Sequence, residues 1–69
     1  FDFPSFAILS DGTLYGWGRN DHGQLGDGTT TDKQRPVKLR SNISKVAAGG
    51  SFTMFLTTNG DLLVTGTIK

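Results

Sequence analysis

No cysteine occurs among the 69 residues, and His22 is the single histidine, so neither a disulfide nor a cysteine- and histidine-based metal staple holds this fold. Glutamate is absent and alanine is confined to Ala7, Ala47 and Ala48, which removes the residues that best sustain helices. No apolar run reaches membrane-spanning length, and Phe1-Asp2-Phe3-Pro4 is not a basic segment leading into an apolar one. Neither a transmembrane helix nor a signal peptide is legible in these residues. The lack of cysteine accords with a reducing compartment, cytoplasm or nucleus. What the chain does have is ten glycines and a wealth of threonine, a composition of short strands joined by tight turns. The expected fold class is therefore all-β. Sixty-nine residues allow one small domain, and ordering them costs on the order of 100 kcal/mol at roughly 1.5 kcal/mol per residue, which only a filled core offsets.

The organisation follows from one stretch and its echo. Asp11-Gly12-Thr13-Leu14-Tyr15-Gly16-Trp17-Gly18 joins a turn dipeptide to an aromatic strand, and Asn59-Gly60-Asp61-Leu62-Leu63-Val64-Thr65-Gly66 repeats it 48 positions later. Residues 53–58 likewise align with residues 5–10, so the chain reads as a piece of a repeat array. Asp11-Gly12 and Asn59-Gly60 accept positive φ at both central positions, which predicts two-residue hairpins between strands at 5–10 and 13–17 and at 53–58 and 61–65. Residues 18–35 hold four glycines and three aspartates with little apolar content beyond Leu25, a long ordered loop pinned by that leucine. Residues 36–40 alternate, Val37 and Leu39 on one face and Lys38 and Arg40 on the other, as a half-buried edge strand does, with Pro36 at its first position. Residues 43–48 form an apolar strand running into Gly49-Gly50, small residues that suit an innermost strand around an axis.

These residues together resemble the repeat family named for the regulator of chromosome condensation. The resemblance is carried by Asp11-Gly12, Leu14-Tyr15, Trp17-Gly18, Asn20, Gly23-Gln24-Leu25-Gly26, Gly28, Pro36-Val37, Ile43 and Val46-Ala47-Ala48-Gly49. It implies a partial β-propeller, about one and a half blades from a seven-bladed array. Residues 1–40 would supply the second to fourth strands of one blade and residues 43–67 the first to third of the next. Pro4 and Phe52 stand where family members carry a histidine, and Thr65 stands where the first copy has Trp17. Such a piece is expected to come from a longer chain and to need the rest of the propeller, or self-association, for stability, with Phe6, Trp17, Phe52 and Phe55 partly bare. The resemblance further implies a non-catalytic protein-interaction scaffold. Guanine-nucleotide exchange on a small GTPase, or a targeting module of a ubiquitin ligase, are its alternatives.

Candidate chemistry is sparse. Exposed N–H groups in the glycine-rich loop suggest a phosphate cradle. No lysine follows the glycines as in a P-loop, however, and Asp21, Asp27 and Asp32 would repel an anion. The resemblance makes Asn20, Gly23, Gln24, Leu25 and Gly26 a structural loop, with the amides satisfying backbone groups. The three aspartates lack the dense alternating oxygens of a calcium loop and read as solvated turn residues. His22 beside Asp21 has no second histidine or cysteine to complete a relay, and no serine stands in a nucleophile elbow. No residue is assigned to catalysis, a metal or a cofactor. The aromatic side chains sit at strand spacing and read as core. Asn42-Ile43-Ser44 matches the glycosylation sequon, which matters in a secreted protein.

Charge is more telling than the net +1. Lys33, Arg35, Lys38, Arg40 and Lys45 fall within thirteen residues, and no acid stands between Asp32 and Asp61. Two readings of Lys33, Arg35, Lys38 and Arg40 stand open. They form a patch for an acidic protein or DNA phosphate, or they keep an outer edge strand soluble.

Overall fold

The computed structural model describes residues 3–67, and within them the chain forms six β-strands: β1 (Pro4–Ile8), β2 (Leu14–Gly18), β3 (Lys33–Arg40), β4 (Ile43–Ala48), β5 (Phe52–Thr57) and β6 (Leu62–Gly66). They make two antiparallel three-stranded sheets in the orders β1-β2-β3 and β4-β5-β6. Composition predicts strands, and the two three-stranded sheets are consistent with the partial propeller that the resemblance implies.

Both hairpins form, with a different turn from the one predicted. Gly12 N donates to Leu9 O and Leu9 N to Thr13 O, each at 2.9 Å, so the loop holds three residues, Ser10, Asp11 and Gly12. The second hairpin repeats this with Gly60 N on Thr57 O and Thr57 N on Asp61 O. Only the glycines take positive φ, +88° and +92°; Asp11 and Asn59 do not. This is a turn closed by a left-handed glycine, the usual three-residue hairpin. Asp11 stays outside the left-handed region while its Oδ1 accepts Thr13 N at 2.9 Å, an alternative turn bond that the dipeptide reading overlooked.

The long loop ends earlier than expected. β3 starts at Lys33, so Pro36 lies inside the strand. The β2–β3 ladder pairs Gly16 with Val37 and Gly18 with Lys33, a register shift that spans the proline. Proline has no N–H to give a ladder, and an edge strand interrupted by a bulge is where it can sit. Beyond it Val37 and Leu39 are half-buried and Lys38 and Arg40 exposed, the alternation the sequence carries.

The core lies between the sheets. Leu14, Ile43 and Phe55 are buried, with Phe6, Ile8, Leu39, Val46 and Leu63 packed around them, and the Phe6 and Phe55 rings meet edge to face at 5.9 Å. Phe55 is 1% exposed rather than bare, because β5 turns it onto the first sheet; Phe6, Trp17 and Phe52 are half-buried. At one end the sheets are tied by backbone: Ile43 N donates to Gly12 O at 2.9 Å, while Thr58 N, donating to Asn42 O at 2.8 Å, closes the adjoining end of the β4–β5 pair. Asn42 makes this corner at φ +60°, a region asparagine tolerates better than most side chains. The sequon asparagine thus sits in an exposed turn with its carbonyl already engaged.

Candidate functional site: the glycine-rich loop and the basic strand

The loop of residues 19–32 leaves β2 and folds into the gap between the sheets. Leu25 is fully buried. Gly16 explains how it fits: a Cβ there would lie 2.7 Å from Leu39 Cδ1 and 3.1 Å from both Leu25 Cδ2 and Phe6 Cδ1, so three side chains converge where the strand has none. Gly26 lies beside the other wall, against Thr65 and the Phe55 ring. The loop is therefore a wedge with the first sheet on one side and the second on the other.

Asn20 holds the wedge in shape. It is fully buried, its Oδ1 accepts Leu25 N at 2.8 Å, and its own N–H donates to Asp32 Oδ1 at 2.7 Å. Its Nδ2 lies within 3.2 Å of four acceptors, Asp27 Oδ1, Thr29 O, Thr29 Oγ1 and Thr31 O. Two amide protons shared among these reach across the loop from residue 20 to residue 31. Gln24, also fully buried, accepts His22 N at 2.8 Å and donates Nε2 to Asp21 Oδ1 at 3.1 Å and to Gly50 O at 2.9 Å. That last bond crosses to the second sheet, and Thr65 Oγ1 returns one to Gly23 O at 2.8 Å. These buried amides leave few of their own polar atoms unmatched, as buried polar groups require. Among the described residues, Thr53 Oγ1 is a buried side-chain oxygen without a partner, on the β5 face turned to the first sheet.

The aspartates are more than solvated turn residues. Asp27 accepts from Asn20, from Thr29 N at 2.9 Å and from Thr29 Oγ1 at 2.8 Å, and lies 3.5 Å from Lys33 Nζ. Burial works to raise its pKa, but the bonds from Thr29 and Asn20 and the Lys33 charge outweigh it and leave the group below its ordinary value. Arg19 forks onto Asp21 at 2.8 and 3.2 Å. Those bonds, with the one from Gln24, hold the Asp21 carboxyl down at about 2. Sequence reasoning missed these partners, since Asp and Thr in a polar run have no periodicity to mark which oxygen turns inward.

A pH dependence follows. A carboxyl whose pKa is depressed on folding adds stability above its unfolded value, near 3.8, and loses it as pH falls through the folded value. The urea midpoint should be flat at neutral pH and drop between about pH 4 and pH 2. Asp21→Asn should lower the midpoint at neutral pH and converge on the parent near pH 2; a gap that stays constant with pH would contradict the linkage.

The basic residues are not equivalent. Arg35, Lys38 and Arg40 are exposed on β3, Lys38 beside Tyr15 in the ladder, whereas Lys33 is half-buried and turned to Asp27. The geometry thus withdraws Lys33 from the exposed set, because its charge is engaged in closing the loop. Lys45 is exposed on β4, in the other sheet. His22 Nε2 lies 3.9 Å from Asp21 Oδ2, beside an open cavity of about 380 Å³ lined also by Gly50, Ser51, Phe52 and Thr67.

Two sheets bridged by one glycine-rich loop, held by a buried asparagine and glutamine, make the frame of this site. The pattern of the regulator of chromosome condensation (RCC1) repeat matches residues 11–56. The chain belongs to the RCC1 repeat family. Among relatives, it is 41% identical over 56 residues to the E3 ubiquitin-protein ligase HERC2 of Homo sapiens, covering 75% of this chain and 1% of the ligase. It is 40% identical over 65 residues to the ultraviolet-B receptor UVR8 of Arabidopsis thaliana, covering 88% of this chain and 15% of the receptor. It is 38% identical over 69 residues to the RCC2 homolog of Danio rerio, covering 94% and 14%. The chain thus spans a small part of each relative's length. RCC1 repeats occur in a ligase and a receptor alike, and this one is an RCC1-like interaction or regulatory module.

Proposed function

We propose that this RCC1 repeat segment is a non-catalytic protein-interaction scaffold, part of a propeller array that presents loops and an outer basic strand to an acidic protein partner. In this reading residues 1–40 are the second to fourth strands of one blade and residues 43–67 the first to third of the next. The observation that carries it is a division of labour. Asn20 and Gln24 turn inward and bind backbone and neighbouring sheet, while Arg35, Lys38 and Arg40 face solvent along β3. Recognition rather than bond-making is the role this arrangement favours, with no cofactor.

The test is to reverse two charges, Lys38→Glu and Arg40→Glu, and to measure binding to acidic proteins and to duplex DNA. Loss of acidic-protein binding by more than about tenfold, with steep salt dependence in the parent, is the expected result. Unaltered affinity would leave the strand a solubility role, and loss of DNA binding alone would move the partner to nucleic acid. The ligase resemblance supports a second reading, a targeting module in a ubiquitin ligase. The family resemblance adds guanine-nucleotide exchange on a small GTPase. Release of fluorescent nucleotide from a GTPase panel should be unchanged by this chain; accelerated release would replace scaffold with exchange factor.

A further inference from the structure

Asp11-Gly12, Asp27-Gly28 and Asn59-Gly60 each set an acid or its amide directly before glycine, where a side-chain carbonyl and the next backbone nitrogen can close a five-membered ring. The fold treats the three differently. Asp11 Oδ1 accepts Thr13 N at 2.9 Å, and Asp27 accepts from Asn20 and twice from Thr29. The Thr13 bonds lower the pKa of Asp11, and at Asp27 the bonds from Thr29 and Asn20 outweigh burial, so both stay carboxylates with no group to expel. Asn59 is exposed, and among the described residues its side-chain amide has no hydrogen-bond partner.

One difference between the two copies of the repeat explains this. Leu9 stands in the first turn where Thr57 stands in the second. Leucine has no hydroxyl, and Thr13 N takes the Asp11 carboxylate instead. Thr57 Oγ1 accepts Asp61 N at 3.0 Å, which leaves the Asn59 amide without a backbone group to cap. A Cβ at Gly60 would meet nothing within 4 Å, whereas one at Gly12 would press on Asn42 at 3.4 Å. The Gly60 nitrogen thus stands at an open hairpin tip, bonded to Thr57 O at 3.1 Å against 2.9 Å for Gly12 N on Leu9 O. Exposed turns of this kind open at low cost. The other asparagines are closed off. Asn20 is buried with both ends of its amide bonded, and Asn42 precedes buried, β-branched Ile43, whose nitrogen is held by Gly12 O at 2.9 Å.

We propose that Asn59 is a site of spontaneous deamidation, at which the Gly60 backbone nitrogen displaces ammonia from the side-chain amide. Solvent base removes the Gly60 N–H proton, the nitrogen bonds to Asn59 Cγ, and the Cγ–Nδ2 bond breaks as Nδ2 takes a proton from water and leaves as ammonia. Water then opens the ring. Addition at the side-chain carbonyl leaves aspartate at position 59, the residue type that the first copy carries as Asp11. Addition at the main-chain carbonyl routes the backbone through the former side chain, as isoaspartate. That product adds a backbone carbon to a three-residue turn and should disturb the β5–β6 pairing.

This inference does not depend on what β3 binds, and its test is separate. The 69-residue chain is held in warm, mildly alkaline buffer and sampled over days. Its net charge should fall from +1 to zero as one acid joins the six, giving a peak on ion exchange that elutes with an Asn59→Asp chain. Trypsin, cutting after Arg19, Lys33, Arg40 and Lys45, puts the three asparagines on separate peptides. The mass change of amide to acid should appear first in residues 46–69, with part of the product accepting a methyl group from an isoaspartyl methyltransferase. Asn59→Gln, whose ring would need six members, should slow the charge shift by more than about tenfold. Circular dichroism checks that this variant keeps its strands; if it does not, Asn59→Ser replaces it and should lose the shift. An amide retained at position 59 under conditions that convert a free peptide of residues 56–62 overturns the proposal. So does a mass change that appears first at Asn20 or Asn42, or an Asn59→Gln chain that acidifies as fast as the parent.

Discussion

Asn20→Ala should lower the unfolding free energy by about 3 kcal/mol, because it strands the buried Leu25 N–H and removes the whole fan of bonds from one amide at once. Leu25 N, in a fully buried residue, loses its acceptor, and the carbonyls of Thr29 and Thr31 at the loop surface lose their donor. A chain of this length has a total stability of roughly 3 to 10 kcal/mol, so the loss is comparable with the whole. Urea denaturation is the measurement, and a midpoint shift equivalent to less than about 1 kcal/mol would mean that the loop is held by something other than this amide. Asn20→Asp refines the claim. It keeps the acceptor for Leu25 N and replaces the donor with an oxygen facing Asp27 Oδ1, which in the parent is 3.1 Å from Nδ2. The variant should be least stable at neutral pH and recover relative to the parent as acid protonates the facing carboxyls.

The same residue marks what could be read in advance. Strand existence, the repeat and the two hairpin pairings were legible, because alternation and glycine punctuation act locally, while the neighbours of β3 and β4 came from the resemblance; residues 43–48 are the strand the sequence outlines. Turn type was not, since Asp-Gly serves two hairpin geometries and the choice rests on side-chain bonds such as that of Asp11 to Thr13 N. Nor was the start of β3, where a bulge lets the ladder run past Pro36. In the loop, the residue types at 20, 23, 24, 25 and 26 stood out through the resemblance. Their partners Asp27, Thr29, Thr31, Asp32 and Gly50 did not, because each contact spans a stretch without periodicity and is fixed by the fold of the whole loop. The burial of Phe55 required knowing that the second sheet packs on the first. Tertiary packing decided these points, and no local propensity encodes it.

Leu25→Ala should also cost about 3 kcal/mol, by a different route. The side chain is fully buried between the sheets, and truncating a buried leucine removes its transfer energy and leaves a cavity whose walls relax only in part. The walls here are Phe6 and Leu39, both already in contact with strands on their other sides. Loosening the wedge also loosens the two bonds that tie the loop to the second sheet, Gln24 to Gly50 and Thr65 to Gly23. Amide exchange at residues 23–26 should therefore accelerate by more than global destabilisation explains. Gly16 supplies the internal control. Alone, Gly16→Ala pushes a methyl against Leu39, Leu25 and Phe6 and should destabilise; in the Leu25→Ala background the same methyl enters vacated space and should cost less. The double-mutant cycle should give a favourable coupling of about 1 kcal/mol, read from urea midpoints. Additive losses would show that Leu25 and Gly16 do not share a packing site, and the wedge would then owe its place to its hydrogen bonds rather than to the leucine.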